Sequence, residues 1–189
     1  MKTLLLTGGI GSGKSAVAAC LEARGIPVYD SDSRAKLLYD SDLIDSLEAA
    51  LGVCLRRDGR FSPAALSAAV FSSPEALSKV ESLVHPAVLK DFLRWRDARD
   101  AAVVAFESAI AMSKPLFDGL WDAVLMVTAP LPTRVERVMR RSGLTREQVM
   151  ARIAAQQFDI MKADAVINND LDIETLAYRT EIALKLLYL

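Results

Sequence analysis

The stretch of sequence that decides the fold reads Gly8-Gly9-Ile10-Gly11-Ser12-Gly13-Lys14-Ser15. It matches the complete pattern G-x-x-x-x-G-K-[ST], a backbone cradle for nucleotide phosphates. Glycines let several N–H groups point at one phosphate, and the start of the following helix adds partial positive charge. In this pattern Lys14 reaches the β- and γ-phosphates, and the Ser15 hydroxyl coordinates Mg²⁺. The motif predicts a nucleoside triphosphate site formed by Gly9, Gly11, Ser12, Gly13, Lys14, Ser15 and Ala16.

Short apolar segments alternate with helical segments around this motif. The apolar segments are residues 2–7, 26–29, 102–106, 123–127 and 165–167. The helical segments are residues 16–24, 133–141, 146–157 and 173–187. This alternation is typical of an α/β fold, a parallel sheet with helices on both faces. Residues 33 to about 95 are helical in pattern but too many for one crossover helix. They predict a helical insertion within a single domain that spans residues 1–189.

The composition is that of a folded protein without a strong charge. Of 189 residues, 52% are hydrophobic and 25% are charged, and the formal net charge is −1. These values exclude wholesale disorder and give no sign of nucleic-acid or membrane affinity. The two cysteines, Cys20 and Cys54, have no metal-binding or redox spacing. We therefore expect a cytoplasmic protein.

Three acidic residues follow predicted strands, where ligands of such sheets bind. Asp30 and Asp32 follow the second strand. One carboxylate would take the proton from an acceptor hydroxyl during phosphoryl transfer, and the other would hold Mg²⁺ through water. Capping of the next helix is an equally good interpretation of this pair. Glu107 follows the third strand, a position that suits a carboxylate near Mg²⁺.

Basic residues cluster late in the chain at helical spacings. They are Arg134, Arg137, Arg140, Arg141 and Arg146. An arginine that closes over the phosphates stabilises transferred charge and excludes water. A solvated helix face is the alternative for any single member of this group.

The single histidine, His85, precedes Pro86. Proline disfavours helical geometry at the residue before it, so we expect a helix to break or begin here. A role in catalysis and a capping or buried role both remain open for this side chain.

Taken together, these residues resemble dephospho-coenzyme A kinase over nearly the whole chain. The resemblance rests on the phosphate loop, on the triplet Asp30-Ser31-Asp32, and on Asp58-Gly59. It continues with Leu83-Val84-His85-Pro86, Arg137, Arg141, Gln156 and Ala163-Asp164-Ala165-Val166-Ile167-Asn168-Asn169. The triplet, the His-Pro pair and the last segment, in this order, are more specific than the loop.

The resemblance implies a three-layer P-loop fold with a substrate-binding helical insertion at about 33–97 and a small lid at about 140–160. It implies ATP- and Mg²⁺-dependent phosphorylation of the ribose 3′-hydroxyl of dephospho-coenzyme A, the last step of coenzyme A synthesis. In this resemblance Asp32 is the catalytic base, Lys14 stabilises transferring charge, and Arg141 is the lid arginine on ATP. Asp32, His85 and Glu107 are the substrate-binding residues. The only partner implied is the small-molecule substrate, with no obligate protein partner.

Some positions depart from the family pattern. Pro63 stands where the family has an arginine, and Ser113 stands where it has an acidic residue. The segment from Gln156 to Asp164 is a few residues short, with Lys162 as a loose match to a usual basic residue. A kinase for another small hydroxyl compound or nucleoside monophosphate is therefore one alternative. The other alternative is a nucleotide-binding switch whose hydrolysis is stimulated by a protein partner.

Overall fold

The computed structural model describes residues 1–41, 43–71, 73–156 and 159–189. These residues form two compact units. The sheet unit comprises Met1–Asp30 and Arg99–Leu189, and the helical unit comprises Ser31–Ala98. The helical unit occupies the range in which the sequence predicts a helical insertion.

Strands and helices alternate along the described chain. The strands are β1 (Lys2–Gly8), β2 (Val28–Asp30), β3 (Arg56–Arg57), β4 (Arg60–Phe61), β5 (Val103–Glu107), β6 (Ala123–Thr128) and β7 (Ala165–Asn168). The helices are α1 (Lys14–Glu22), α2 (Ser31–Leu38), α3 (Leu43–Leu51), α4 (Pro63–Phe71), α5 (Pro74–Asp97), α6 (Leu131–Ser142), α7 (Arg146–Ala154) and α8 (Ile173–Leu186). Short 3₁₀ helices lie at Ala111–Ser113, Pro115–Phe117 and Ile160–Lys162. Within the described ranges, no helix combines the length and the apolar character needed to cross a membrane.

The sheet unit is built on a parallel sheet with the strand order β2-β5-β1-β6-β7. The central strand β1 is apolar on both faces, and Leu4, Leu5 and Leu6 are fully buried. Such continuous burial is typical of parallel strands covered on both sides. Helices α1 and α8 pack together against the sheet and share a core with β1, β5, β6 and β7. The predicted parallel α/β sheet is therefore confirmed.

A smaller apolar cluster fixes the helices that follow β6. Val135 and Val138 of α6 pack with Val149 of α7, and Ile10 of the glycine-rich segment lies against them. This packing holds α6 beside the segment between β1 and α1.

The helical unit is organised around the long helix α5. The Ser73 side chain caps its first turn by accepting a hydrogen bond from the Ala76 N–H at 3.1 Å. Its buried face carries Val80, Val84, Val88 and Phe92, and helices α2, α3 and α4 pack against it. Strands β3 and β4 form an antiparallel hairpin in the same unit.

The expected helix break at His85 is wrong. Helix α5 runs without interruption through His85 and Pro86. Proline removes the hydrogen bond that its N–H would donate to the carbonyl four residues earlier, which belongs to Ser82. Both Pro86 and Ser82 are exposed, so water can solvate the carbonyl and the helix continues.

Two boundaries also differ from the sequence prediction. Helix α2 begins at Ser31, so Asp32 lies in its first helical turn instead of extending β2. Asp30 is the last residue of β2, so the two acids belong to different elements. Helix α7 ends at Ala154, and Gln157, the predicted end, lies outside the described residues.

Candidate active site

The glycine-rich segment forms the connection between β1 and α1. Strand β1 ends at Gly8, and α1 begins at Lys14 with Gly13 as its N-cap residue. The first N–H groups of a helix have no partner within the helix and carry the positive end of its dipole. The strand-loop-helix context therefore matches the one that the phosphate-loop motif requires.

Two glycines are required by the way the loop is packed. Gly13 has a φ of 97°, and a Cβ atom there would collide with the Asn169 side chain. Gly11 has a φ of 77°, and its Cβ would lie 2.5 Å from the Arg134 carbonyl oxygen. A side chain at either position would meet both backbone strain and a close neighbour.

The two motif residues at the start of α1 lie at the mouth of the loop. The Lys14 ammonium group donates a hydrogen bond to the Gly8 carbonyl at 3.0 Å, so the lysine arches back over the loop. Ser15 is exposed in the first turn, where its hydroxyl is accessible to a ligand. The chemistry of these two groups, an ammonium and a hydroxyl beside backbone N–H donors, suits a phosphate and its divalent cation.

Helix α6 supplies two arginines that bind the loop backbone. Arg134 donates through Nε to the Ile10 carbonyl at 2.9 Å, and Arg137 donates through Nη1 to the Ser12 carbonyl at 3.4 Å. Burial lowers the pKa of the Arg134 guanidinium. The sequence signal for these contacts was the spacing of three between the two residues, which also suits a solvated helix face.

Arg141 lies one turn beyond Arg137 on α6. It is exposed in the last turn of the helix, and in the described part of the chain no hydrogen bond joins it to the loop. Its predicted contact with ATP stays a prediction.

Two amide side chains also reach the loop. The Ile10 N–H donates to Oε1 of Gln156 at 2.7 Å. The Asn169 side chain donates through Nδ2 to the Ser12 carbonyl at 2.9 Å and accepts from Arg137 at 3.4 Å. Asn169 belongs to the segment 163–169 that carries the family resemblance, but no role at the loop was predicted for it. The loop backbone is thus held by side chains from three later parts of the chain.

Two hydroxyl groups are buried in this region, one at the end of β1 and one in the loop. The side-chain oxygens of Thr7 and Ser12 have no hydrogen-bond partner among the described residues. Ser12 is 1% exposed, and its N–H donates to the Gly9 carbonyl at 3.1 Å. Its predicted contribution to phosphate binding stays a prediction.

Two carboxylates lie at the carboxyl ends of neighbouring strands. Asp30 ends β2 and Glu107 ends β5, and the two residues are register partners. Glu107 is also the register partner of Leu6, two residues before Gly8 on β1. Both acids therefore stand at the sheet edge from which the loop emerges. In the described ranges no group of three or more His, Cys, Asp or Glu residues could hold a metal ion by itself.

The other predicted site residues belong to the helical unit. Asp32 is exposed in α2, and His85 is half-buried in α5. Burial, and secondarily the Asp32 charge, raise the pKa of Tyr39. Asp32 therefore acts electrostatically on the phenol of Tyr39 within this unit.

An ion pair joins the first and last helices of the helical unit. Arg34 of α2 donates through Nε and Nη2 to the two carboxylate oxygens of Asp91 in α5, each at 2.9 Å. The Asp91 side chain is 10% exposed, so the arginine compensates a largely buried charge.

The departures from the family pattern have local structural roles. Pro63 is the first residue of α4, where proline suits the helix start, and the preceding Ser62 hydroxyl accepts from the Ala65 N–H at 3.3 Å. Ser113 ends a 3₁₀ helix and donates to the Ile110 carbonyl at 2.8 Å. In the short segment after Gln156, residues Gln157 and Phe158 lie outside the described residues.

Similar proteins point to one enzyme family. The sequence pattern of the family described as dephospho-CoA kinase matches residues 3–175 of the chain. A dephospho-CoA kinase from Porphyromonas gingivalis is 43% identical over 159 residues, which cover 83% of this chain and 78% of that protein. One from Anaeromyxobacter dehalogenans is 37% identical and covers 96% of this chain and 90% of its own.

Solved structures share the fold. A crystal structure from Thermus thermophilus superposes with a TM-score of 0.85 at 36% identity, covering 97% of this chain and 96% of that one. A shikimate kinase from Bacteroides thetaiotaomicron has a TM-score of 0.60 at 15% identity, covering 100% and 99% of the two chains, and supports the fold alone. The predicted three-layer P-loop kinase class is thereby confirmed. From its sequence match along residues 3–175 and its identity to these relatives, the chain belongs to the dephospho-CoA kinase family.

Proposed function

We propose that the protein transfers the γ-phosphoryl group of ATP to the ribose 3′-hydroxyl of dephospho-coenzyme A, giving coenzyme A and ADP. The observation that carries the proposal is a complete phosphate loop in a chain that matches this kinase family along residues 3–175. In the reaction the bond between the γ-phosphorus and the ADP oxygen breaks, and a bond to the acceptor oxygen forms. The acceptor hydroxyl loses its proton.

Asp32 is the proposed general base. A carboxylate in a turn after a strand is able to accept the hydroxyl proton as the acceptor oxygen attacks. Its exposure in the first turn of α2 leaves it accessible to a ligand. Lys14 is proposed to stabilise the charge that develops on the transferred phosphoryl group, since its ammonium already lies over the loop.

Magnesium is proposed to accompany ATP. The Ser15 hydroxyl is the proposed direct protein ligand, and Asp30 and Glu107 are proposed to hold the ion through water. Hard oxygen donors and few direct protein ligands are what Mg²⁺ takes in kinases. When bound, the ion would neutralise part of the negative charge of the phosphates.

Arg141 and His85 complete the proposed site. Arg141 is exposed at the end of α6 and carries a permanent positive charge, which suits an arginine that closes on ATP. His85, Asp32 and Glu107 are proposed to bind the acceptor substrate. We also propose a single domain with a lid at about 140–160. The location is proposed to be cytoplasmic, with no partner other than the small-molecule substrate.

The direct test is an ADP-release assay with ATP and Mg²⁺, with dephospho-coenzyme A, adenosine or AMP as acceptor. We expect strong stimulation by dephospho-coenzyme A alone and a product heavier by one phosphate. ATP turnover that does not respond to dephospho-coenzyme A, with ATP binding intact, would contradict the proposal. Stimulation by another acceptor would then favour the wider class of small-molecule kinases.

A further inference from the structure

The loop between β7 and α8 places one buried amide against the phosphate loop. Asn169 is 6% exposed and contacts the loop at the peptide group that joins Ser12 to Gly13. Its Nδ2 donates to the carbonyl oxygen of this peptide at 2.9 Å. Its Oδ1 accepts from Arg137, which itself donates to the same carbonyl at 3.4 Å.

A peptide group is planar and trans, so its N–H points away from its carbonyl. Two donors, from Asn169 and Arg137, draw the Ser12 carbonyl toward α6 and the end of β7. The N–H of the same peptide belongs to Gly13, the N-cap residue of α1, and consequently points to the opposite side. That side is where a phosphate-binding loop presents its donors.

A glycine beside this peptide makes such an anchor necessary. Gly13 has a positive φ of 97°, and glycine adopts either sign of φ at little cost. The loop sequence alone therefore does not fix the direction of the peptide. A flipped peptide would present a carbonyl oxygen to the phosphates in place of an N–H donor. The partial negative charge of this oxygen would repel the negatively charged phosphates.

We infer that Asn169 is a positioning residue for ATP binding, because it fixes the Ser12–Gly13 peptide with its N–H toward the phosphates. This inference rests on the proposed use of ATP as phosphoryl donor. It assigns Asn169 no contact with the nucleotide, since its side-chain amide is occupied by Ser12 and Arg137. The residue acts through the backbone of the loop.

The test is the substitution Asn169→Asp, which keeps the side-chain shape but replaces the donor by an oxygen that repels the Ser12 carbonyl. We expect the Kd for ATP, measured by calorimetry without an acceptor, to rise at least about tenfold, or about 1.4 kcal/mol. We expect kcat/KM for ATP to fall in proportion, while KM for dephospho-coenzyme A stays within about twofold.

The neighbouring Asn168 provides a matched control. It is exposed, and its amide donates to Asp170 at 2.7 Å, away from the phosphate loop. Asn168→Asp adds the same charge at the adjacent residue, the last of β7, and is expected to leave the Kd for ATP within about twofold. An equal loss in both variants would show that charge alone acts and would overturn the inference.

Further outcomes separate the inference from folding and from the proposed function. ATP affinity in Asn169→Asp within about twofold of the parent would overturn it. Should that variant fail to fold by circular dichroism, Asn169→Leu removes the donor without adding a charge, and the same loss of affinity is expected. A parent protein that binds ATP but does not phosphorylate dephospho-coenzyme A would refute the proposed function while leaving this inference standing.

Discussion

Asp30 and Glu107 are register partners on the neighbouring parallel strands β2 and β5, and each is the last residue of its strand. Parallel strands deliver their carboxyl ends to one edge of the sheet. Here that edge also carries the start of the phosphate loop, because Glu107 is the register partner of Leu6 on β1. Two carboxylates are therefore held side by side by the sheet, independently of any loop conformation.

The first prediction concerns the dependence of activity on Mg²⁺. Glu107→Gln keeps the size of the side chain but removes its charge, so the ion loses an electrostatic partner. We expect the Mg²⁺ concentration for half-maximal activity to rise about tenfold, with kcat largely recovered at saturating Mg²⁺. Glu22→Gln, at the exposed end of α1, is the control and should not change this concentration. A lower kcat with unchanged Mg²⁺ dependence would contradict a role near the ion.

The second prediction concerns proton removal from the acceptor. Asp32→Asn leaves the phosphate loop intact but removes the proposed base, so phosphoryl transfer should slow by about two to four orders of magnitude. The Kd for ATP should stay within about twofold, because the loop binds the phosphates. Single-turnover kinetics and calorimetry measure the two quantities. Asp97→Asn, the same change at an exposed site near the end of α5, should retain full transfer. Full activity in Asp32→Asn would exclude Asp32 as the base.

The third prediction concerns the pH dependence of Tyr39. Burial, and secondarily Asp32, hold the pKa of this phenol above the ordinary tyrosine value of about 10. The folded protein therefore keeps the proton more tightly than the unfolded chain does. This contribution to the free energy of unfolding is complete below pH of about 10 and is lost as the pH rises through the folded pKa.

Absorbance at 295 nm, with Tyr39→Phe subtracted, gives the titration of this one phenol. Asp32→Asn should lower the pKa of Tyr39, because the negative charge that opposes phenolate formation is gone. An unchanged Tyr39 titration in this variant would show that the two side chains do not interact. The readout is independent of catalysis, so it also reports whether Asp32→Asn keeps the local fold.

The fourth prediction concerns the stability of the helical unit. Arg34→Met removes both hydrogen bonds to Asp91 and leaves a carboxylate that is only 10% exposed without its main partner. The free energy of unfolding should fall by about 2 to 3 kcal/mol. Arg94→Met is the comparison, since Arg94 lies 4.0 Å from Asp91 and is itself exposed; its loss should cost about 0.5 kcal/mol or less. Equal effects in urea denaturation would refute the assignment of Arg34 as the main partner.

Sequence reasoning correctly predicted the parts of the fold that are determined by residues close together in the sequence. The strand before Gly8, the loop and helix α1 follow from a motif of eight contiguous residues. The apolar segments that became β5, β6 and β7 are short and bounded by polar residues. Parallel pairing followed from their alternation with helices.

Features that depend on distant contacts or on solvent could not be predicted in the same way. The Asn169–Ser12 contact joins residues 157 positions apart, and nothing near Asn169 signals it. Helix α5 continues through Pro86 at a place where Ser82 is exposed to solvent, and this exposure is a property of the folded helix. The hairpin around Asp58-Gly59 depends on strands of two residues each, which are too short to show an alternating pattern.

The order of strands in the sheet has a consequence for how the chain folds. The central strand β1 precedes its partners by a long stretch of sequence, since Lys2 pairs with Val103 and Leu4 with Ala123. Contacts in the helical unit, such as those of α3, α4 and α5, span much shorter separations. Because non-local strand pairing is slow, we expect the helical unit to gain structure first, while β1 remains an unpaired apolar strand. During synthesis this strand is the segment most exposed to aggregation and to capture by chaperones, and it becomes protected only once β5 and β6 have left the ribosome.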